Sequence, residues 1–488
     1  MKLRPVQQEC LDSVLSSFRR GGNFHLAIAP CGFGKTILSS ALITESVVKY
    51  GVKCLFLAHM TELVLQTEEK LKRVSPDIDC GVWCGKLGRK ENRQVTIGSR
   101  QSIVRALDKL DDVSLIIIDE VHVWGTGGDY SMIIDHFMSR NEKLRVLGVT
   151  GTPYRLGEGY IYGEKKVFPD FVHETTVDEM VEMGYLSPYR YKLAKTPDFS
   201  SVKKNAGEYH LGELTEELVR KEHMGSVSQV IEQFASDRKS IMVFAVTIEH
   251  AEALADHLGV FAVHSKLKKS EYRQRVDDFK NGKDRIIVNV SQLSIGFDHP
   301  DVDCIVLARP TMSTALFVQM CGRSWRLADG KEDSLIIDLV GNYKRHGLPS
   351  DPKVKKEKEE GDAPKGKGET EGSVCPKCFE VTTAKVCPSC GNRMEEVIQI
   401  DEVTVEDVDM SKEKVTINKL WVKENHTTQK GNTGPLFCIK TIEREVPLFH
   451  FVSNSALSCT SKRIKFDKLS VGQKVEVVSG GRGDWVKW

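Results

Sequence analysis

Short apolar runs that alternate with helix-like segments constrain the fold of this chain more than any other feature. Within residues 1–185, five runs end in Gly, Pro, Ser, His or an acidic residue, namely FHLAIAP, KCLFLAH, QVTIGS, SLIIIDE and RVLGVTGTP. Continuous apolar runs of this length are typical of strands buried on both faces of a parallel sheet. The same rhythm returns over residues 186–348, in SIMVFAV, VFAVHS, RIIVNVS, DCIVLARP and SLIIDLV. We therefore predict two doubly wound α/β lobes in tandem.

Three shorter regions follow the predicted lobes. Residues 349–372 contain almost no large apolar side chain, which predicts a flexible charged linker because such a segment buries too little surface to order itself. Residues 373–395 contain four cysteines in two pairs. Residues 396–488 alternate apolar and polar residues in short runs, which predicts a small β-rich domain. That domain is locally basic, because residues 411–488 contain 14 Lys and Arg against 7 Asp and Glu.

The bulk composition limits what the chain can bind. Its 488 residues carry a formal net charge of +1, so a polyanionic partner would have to be held by local clusters of basic residues. No apolar run approaches the roughly 20 residues that span a bilayer, and the start, MKLRPVQQEC, lacks the apolar segment of a signal peptide. We therefore expect a cytoplasmic protein without a membrane partner. Most of the 13 cysteines lie in apolar stretches, which indicates reduced thiols.

A phosphate-binding loop is predicted between the first apolar run and the helix that follows it. The segment APCGFGKT departs from the Gly-x-x-x-x-Gly-Lys-Ser/Thr pattern only at Ala29. Its glycines let backbone N–H groups point at phosphate oxygens, Lys35 reaches the β- and γ-phosphates, and Thr36 binds Mg²⁺. An ordinary glycine-rich turn that caps a helix is the alternative. The predicted nucleotide-binding residues in this segment are Pro30, Cys31, Gly32, Phe33, Gly34, Lys35 and Thr36.

Two carboxylates end the most apolar strand of the first lobe. In nucleotide hydrolases an Asp in this position binds Mg²⁺ and a Glu orients the attacking water, and Asp119 and Glu120 fit these roles. Adjacent like charges repel each other, and a divalent cation relieves the repulsion. Taken alone, the pair could equally be an acidic turn that caps the next helix; the phosphate-binding loop favours the catalytic interpretation.

The phosphate-binding loop and the D-E-x-H sequence of residues 119–122 together resemble superfamily two helicases and translocases. The segments LFLAHMTELVLQ, VTIGSRQSI, VTGTP, IMVFAVTIEHAEAL, VNVSQLSIGFDHP and FVQMCGRSWR resemble further motifs of that family, in the family's order. The resemblance covers residues 1–348. It implies two RecA-like lobes that bind ATP and Mg²⁺ between them, and hydrolysis that drives movement along a nucleic acid or strand separation.

The resemblance also assigns individual residues to roles. Beside Lys35, Asp119 and Glu120, the residues that it places at the catalytic site are His122, Gln319, Arg323 and Arg326. The further residues that it places at the nucleotide are Arg4, Gln7, Gly296 and Asp298. The residues that it assigns to coupling with the nucleic acid are Thr150, Thr152 and Ser294. The spacing of Arg323 and Arg326 also places both on one helical face, from which two guanidinium groups can reach a γ-phosphate, unless that face is simply solvated.

The choice of nucleic acid and the mode of action stay open at this point. The end of the second lobe, IIDLVGNYKRHGLP, resembles a branch with repair and transcription helicases, type III restriction motors and phage branch-migrating helicases. That resemblance implies DNA rather than RNA, forked or branched substrates, and partners among replication or recombination proteins. A double-stranded DNA translocase that separates no strands is one alternative. An ATP-switched sensor that signals by lobe closure is another.

The four clustered cysteines form two C-P-x-C pairs separated by eight residues. Four thiolates in two such knuckles match tetrahedral Zn²⁺, and because the protein fills every position the zinc would be structural. A dithiol redox pair is the alternative, although one pair would suffice for it. The predicted ligands are Cys375, Cys378, Cys387 and Cys390.

Aromatic residues are interleaved with Lys and Arg in the predicted C-terminal β-domain, a composition compatible with base stacking. Core positions are the alternative for most of them, and an oligonucleotide-binding barrel is one fold that fits the pattern. Trp485 and Trp488, in a glycine-rich basic tail, are the better stacking candidates. The other aromatic residues considered are Trp421, Phe437, Phe449 and Phe451.

Overall fold

The computed structural model describes residues 3–354 apart from 126, 195–198, 200, 206 and 291–298, and residues 373–393 apart from 376 and 385. For residues 221–223, and for five strands between residues 412 and 486, it describes the backbone alone. The chain divides into two compact units, residues 1–395 and 396–488. Within the described ranges, no helix has the length and apolar content needed to cross a membrane.

The first lobe is an eight-stranded sheet covered by helices on both faces. Its elements are α1 (Pro5–Arg20), β1 (Phe24–Ile28), α2 (Lys35–Tyr50), β2 (Cys54–Ala58), α3 (Thr61–Val74), β3 (Cys80–Cys84), β4 (Arg89–Lys90), β5 (Val95–Ser99), α4 (Arg100–Ile103), β6 (Leu115–Asp119), α5 (Asp129–Met138), β7 (Arg145–Thr150), β8 (Tyr154–Arg155), β9 (Gly159–Tyr160), β10 (His173–Glu174) and α6 (Val177–Glu182). Short 3₁₀ helices span Gly85–Leu87, Val104–Lys109 and Val121–Val123. The strand order is β10-β1-β7-β6-β2-β5-β3-β4, and only β4 is antiparallel to its neighbour.

Strand β6 lies near the middle of this sheet, and all five of its residues are buried. Its side chains alternate between two cores: Ile116 and Ile118 belong to one apolar cluster, and Leu115 and Ile117 to the other. This is the double-faced burial that the continuous apolar run predicts. Because β1, β7 and β6 are parallel neighbours, the loops that follow their carboxyl ends lie side by side at one edge of the sheet.

The second lobe is a parallel six-stranded sheet. Its elements are β11 (Tyr189–Leu193), β12 (Lys204–Asn205), β13 (Glu208–Tyr209), α7 (Leu211–Leu218), α8 (Lys221–Phe234), β14 (Ile241–Phe244), α9 (Ile248–Leu258), β15 (Phe261–Val263), α10 (Lys269–Lys280), β16 (Ile286–Asn289), β17 (Cys304–Leu307), α11 (Thr314–Cys321), β18 (Ser334–Asp338), α12 (Asn342–His346), β19 (Gly347–Leu348) and β20 (Asp351–Pro352). The sheet order is β11-β18-β17-β14-β16-β15. All ten strands predicted for the two lobes are therefore confirmed.

The predicted linker begins too early. Strand β20 pairs with β19, and Val354 still packs against the apolar core, so the second lobe continues to residue 354. The reason is that the hairpin satisfies the backbone of a polar segment that has little apolar side chain of its own. The rest of the predicted linker, residues 355–372, lies outside the described residues.

The second unit contains five antiparallel strands. They are β23 (Lys412–Thr427), β24 (Thr433–Thr441), β25 (Leu448–Phe451), β26 (Lys474–Gly480) and β27 (Gly483–Val486). Their order is β25-β24-β23-β26-β27, and Cα atoms of the two outer strands approach within 8 Å, so the sheet curls toward a barrel. The predicted small β-domain is confirmed, and five strands is the number found in oligonucleotide-binding folds. The aromatic side chains considered for stacking lie outside the described part of the chain.

Candidate functional site

A cavity of about 360 Å³ lies between the two lobes, at the carboxyl ends of β1 and β6. It collects residues from segments that are far apart in the chain, because the parallel strands bring their following loops to the same edge. Twelve of the predicted site residues line it: Arg4, Pro30, Cys31, Gly32, Gly34, Lys35, Thr36, Asp119, Glu120, Gln319, Arg323 and Arg326. The predicted residues Ser294, Gly296 and Asp298 lie outside the described residues.

The phosphate-binding loop depends on two glycines with positive φ. Gly32 and Gly34 have φ of +85° and +93°, a region that favours glycine. A Cβ on Gly32 would lie 2.5 Å from Leu186, and one on Gly34 would lie 2.5 Å from the Gln7 amide. Both positions therefore exclude a side chain. Helix α2 starts at Lys35, so its positive N-terminal end faces the cavity, as an anion-binding loop requires.

Two residues predicted to contact the nucleotide lie under the loop instead of in the cavity. Gln7 is buried; its amide nitrogen donates to the Phe33 carbonyl oxygen at 2.7 Å, and its carbonyl oxygen accepts from the Arg4 N–H at 3.0 Å. Phe33 is fully buried in the core. Both ends of the Gln7 amide are thus occupied by backbone groups, so Gln7 holds the shape of the phosphate-binding loop in this structure.

Lys35, Asp119 and Glu120 form a tightly coupled group of charges. Lys35 Nζ lies 3.4 Å from Glu120 Oε1. Burial and the adjacent charge of Glu120 raise the pKa of Asp119 to about 6, and Lys35 opposes this only in part. Burial would also raise the pKa of Glu120, but Lys35 and the hydrogen bond to His122 lower it below its usual range. The Glu120 carboxylate is ionised, and the adjacent Asp119 needs a nearby cation to be ionised as well. Together with the Thr36 hydroxyl in the same cavity, these two carboxylates form a donor set that fits Mg²⁺.

Glu120 also has an unusual backbone conformation. Its φ is 50° and its ψ is 52°, which is the left-handed region. Among the non-glycine residues that the structure describes, only Glu120 and Phe379 have a positive φ. The conformation costs about 1–2 kcal/mol for a residue with a Cβ. Strain of this kind is often found at functional sites, where surrounding contacts hold it in place.

His122 links the two lobes from behind the cavity. Its Nδ1 lies 2.9 Å from Thr150 Oγ1 and 3.2 Å from Thr152 Oγ1, while its Nε2 lies 3.3 Å from the Gln319 amide. Thr150 in turn donates to Glu120 at 3.4 Å. The histidine does not line the cavity. It connects Glu120 and the two threonines of the first lobe to Gln319 of the second.

The expected helical placement of Arg323 and Arg326 is wrong. Helix α11 ends at Cys321, and both arginines follow it in a turn. Gly322 lies where a Cβ would come within 2.9 Å of the Cys31 side chain, so the close approach of the lobes requires glycine at the end of the helix. The fully buried Trp325 then anchors the turn between the arginines. Both guanidinium-bearing residues nevertheless line the cavity.

Six lining residues were not predicted from the sequence: Leu63, Gln66, Lys70, Tyr185, Pro300 and Leu327. Three of them carry polar or aromatic groups that can act on a ligand. Gln66 and Lys70 lie four residues apart on α3, so they share one helical face toward the cavity. Tyr185 lies beneath the Arg4 guanidinium, whose carbon is 4.8 Å from the ring centroid. The aromatic surface next to Arg4 is therefore supplied from the end of the first lobe. The available signal was an isolated tyrosine after helix α6, which sequence patterns alone do not connect to Arg4.

The four cysteines meet as predicted. Their sulfur atoms all lie within 4.8 Å of one another, with Cys375 and Cys390 3.6 Å apart and Cys378 and Cys387 3.5 Å apart. Zn–S bonds of about 2.3 Å in a tetrahedron place sulfurs about 3.8 Å apart, so this cluster fits a structural zinc ion. Strands β21 (Ser373–Val374) and β22 (Val381–Thr382) form the hairpin that carries the first pair.

This cysteine knuckle docks on β11, the outer strand of the second lobe's sheet. The Leu193 N–H donates to the Phe379 carbonyl at 3.0 Å, and Lys192 Nζ donates to the Cys378 carbonyl at 2.9 Å. Lys192 and Glu380 also form a buried ion pair, with N···O at 3.4 Å. The knuckle is therefore attached to the second lobe by backbone and side-chain contacts, as expected of a bracing module.

Comparisons with known proteins agree with this architecture. Residues 1–155 match the family described as "Type III restriction enzyme, res subunit", and residues 223–328 match "Helicase conserved C-terminal domain". A fragment of a type I restriction enzyme HsdR subunit from Vibrio vulnificus YJ016 has the same fold, with a TM-score of 0.55 at 22% identity; the match covers 70% of this chain and 65% of that one.

Two relatives are similar along the lobes. A Saccharomyces cerevisiae protein assigned as the ATP-dependent helicase IRC3 is 31% identical over 362 residues, which cover 70% of this chain and 51% of the relative. This chain thus spans about half the length of the yeast protein. A 51.5 kDa protein of a Lactococcus phage (isolate 7-9) is 30% identical over 339 residues, covering 68% of this chain and 69% of the relative. Together with the residues gathered in the interlobe cavity, these matches show that the chain belongs to the superfamily two helicases.

Proposed function

We propose that this protein is an ATP-dependent DNA helicase or translocase, acting on forked or branched DNA. The observation that carries the proposal is the interlobe cavity, in which Lys35, Asp119 and Glu120 of one lobe face Arg323 and Arg326 of the other. A site divided in this way works only when the lobes come together, so hydrolysis and lobe movement are coupled. The match of residues 1–155 to a restriction enzyme family supports DNA over RNA.

Each side chain has a role that follows from its position. Lys35 and the N-terminal end of α2 would bind the phosphates, and Thr36 and Asp119 would hold Mg²⁺. The metal ion, when bound, neutralises phosphate charge and the repulsion between the two carboxylates. When Lys35 turns to the phosphates, its pairing with Glu120 weakens, and the ionised Glu120 becomes available to orient water. Arg323 and Arg326 stabilise the charge that develops on the γ-phosphate.

The hydrogen-bonded chain through His122 is the means of coupling. Glu120 contacts Thr150, Thr150 and Thr152 contact His122, and His122 contacts Gln319 across the lobe boundary. A change at Glu120 during hydrolysis therefore alters a contact that holds the second lobe. Closure and release of the lobes would then move them along the DNA backbone, with weak sequence preference because phosphates carry most contacts.

DNA-stimulated ATP hydrolysis tests the proposal. Glu120→Gln should retain ATP binding and lose turnover by about 10²–10⁴-fold, because the amide cannot accept a proton from water. Glu142→Gln, which changes an exposed carboxylate outside the cavity, is the matched control and should hydrolyse at the parental rate. Parental hydrolysis by Glu120→Gln would overturn the assignment.

Strand separation on forks, Holliday junctions, D-loops and RNA duplexes tests the choice of substrate. Unwinding of the branched DNA substrates is the expected result. Displacement of a triplex strand without unwinding would favour a double-stranded DNA translocase instead. ATP turnover with neither activity would favour an ATP-switched sensor, and preferential unwinding of RNA duplexes would refute the choice of DNA.

A further inference from the structure

A second cleft between the lobes shares no lining residue with the interlobe cavity that forms the nucleotide site. It has a volume of about 500 Å³, and its walls are strand β8 with its turn from the first lobe and, from the second, the start of α11, α12 and the segment to Val354. We propose that this distal cleft binds a backbone phosphate of the nucleic acid and senses closure of the lobes; the inference rests on the proposed function.

The charge of the distal cleft favours an anion. Arg155, Lys344, Arg345 and Lys353 line it, and no Asp or Glu is among the described residues that do. Arg155 pairs with Glu158 at 2.5 Å, so its charge is partly balanced nearby. The other three cations come from the second lobe. The surface thus has the positive character that phosphate recognition requires.

Two buried donors in the cleft lack a partner. The Nε atoms of Arg155 and Arg345 are buried and make no hydrogen bond in the structure. The rest of each guanidinium is anchored: Arg155 donates to the Trp124 carbonyl, and Arg345 donates to the Val340 carbonyl at 2.9 Å and to Asn342 at 3.0 Å. An unsatisfied buried donor is unfavourable, so each arginine keeps a donor that a phosphate could satisfy once the guanidinium turns into the cleft.

Both walls of the cleft are connected to His122 through short segments of the chain. Arg155 follows Thr152 by three residues, and Thr152 contacts the histidine. Thr314 lies in the cleft at the start of α11, the helix that carries Gln319 to the other ring nitrogen. The eight residues of this helix span about 12 Å, and the nucleotide-facing arginines follow its far end. A phosphate that draws the walls together would therefore act on the same histidine as the nucleotide.

The chemistry of the cleft points to the backbone of a strand and not to its bases. Tyr154 and His346 carry the rings among its lining residues, and both are buried. Tyr154 packs edge-on against Tyr160 and His346 stacks on Phe317, so neither ring offers a free face for base stacking. Lysine and arginine side chains without a base platform are typical of sequence-independent phosphate contacts. Binding should therefore depend strongly on salt and weakly on sequence.

The test compares two double variants that remove the same charge. Lys344→Gln with Lys353→Gln changes the distal cleft. Lys143→Gln with Lys239→Gln is the control, because these exposed lysines precede β7 and β14 at the opposite edges of the two sheets. Affinity for a labelled DNA is measured by fluorescence anisotropy over a salt series, with a non-hydrolysable ATP analogue present and thermal melting as the check on folding.

The expected result is a change in salt dependence specific to the cleft. The slope of log affinity against log salt should fall by about 0.7–0.9 for each lysine removed from the cleft, and Kd should rise on the order of tenfold, with no such change in the control. Equal slopes in the two double variants would overturn the cleft proposal alone. The same holds if the distal cleft binds free phosphate ions but no nucleic acid. Failure of the parental protein to bind nucleic acid would overturn the proposed function as well.

Discussion

The interlobe cavity and the cysteine knuckle are both clusters of polar groups, but they satisfy these groups in opposite ways. In the knuckle four sulfurs lie within 4.8 Å of one another and leave room for one ion. The charged residues of the cavity line an open volume of about 360 Å³. Two of them, Asp119 and Glu120, have pKa values that are shifted in opposite directions. A cluster that keeps one ion can be closed by its ligands. A site that exchanges its ligand must keep charged groups whose charges are balanced only while the ligand is bound.

This comparison predicts that damage to the cavity affects rate and leaves stability almost unchanged. Arg326→Gln should lower the DNA-stimulated kcat by about 10³-fold, because a guanidinium that stabilises the transferred phosphoryl group is lost. The residue is half-buried and follows the end of α11, so we expect the free energy of unfolding to change by less than about 1 kcal/mol. Steady-state ATPase and thermal melting measure the two effects. A parental kcat with a lowered Tm would instead mean that Arg326 contributes to stability and not to the rate of hydrolysis.

The opposite pattern is expected for the knuckle. Purified protein should contain about one zinc per chain, and Cys375→Ser with Cys378→Ser should abolish it. Loss of the ion should destabilise the second lobe by several kcal/mol, because the free energy of binding structural zinc is also folding free energy. Each kcal/mol corresponds to about 2–4 °C in Tm for a domain of this size.

ATPase activity at low temperature distinguishes a structural role of the zinc ion from a role in catalysis. ATPase per folded molecule should survive removal of the metal, since none of the four cysteines lines the cavity. Chelation of the parental protein should reproduce the variant's melting curve. Metal-free protein with an unchanged Tm would mean that the knuckle does not brace the lobe.

The smallest effect concerns the backbone strain that the two clusters share. Glu120 and Phe379 both lie in the left-handed region, so Gly should be more stable than Ala at each position by about 1 kcal/mol, the reverse of the usual order. Comparing Gly with Ala at one position cancels the loss of the original side chain. Denaturant unfolding of the four single variants measures the differences. If Ala is the more stable at either position, no strain is stored there.

Much of the nucleotide site could be predicted because its residues follow buried parallel strands. The apolar runs before Lys35 and Asp119 define β1 and β6, and parallel neighbours bring their carboxyl ends together. Local patterns sufficed for this part, since the spacing of the motif residues reflects the loops that hold them. The cysteine cluster was predictable for the same reason, because each pair lies within one turn.

The remaining features depend on contacts between distant segments. Gln7 was expected to contact the nucleotide, but the packing of α1 against the loop turns its amide to Phe33. Arg323 and Arg326 were expected on a helix, but the approach of Gly322 to Cys31 coincides with the helix end. Tyr185 reaches Arg4 only through the folded first lobe. Neither periodicity nor spacing carries such information, because each contact is decided by the space left between elements.

The docking of the knuckle on β11 has a practical consequence for anyone who shortens this chain. Strand β11 is the outer strand of its sheet, and the backbone bond from Leu193 to Phe379 covers its free edge. A fragment that stops at residue 354 keeps both lobes yet leaves that edge and the buried Lys192 uncovered. Bare edges pair with one another, so such a fragment should self-associate, and its aggregation would be mistaken for misfolding of the two lobes.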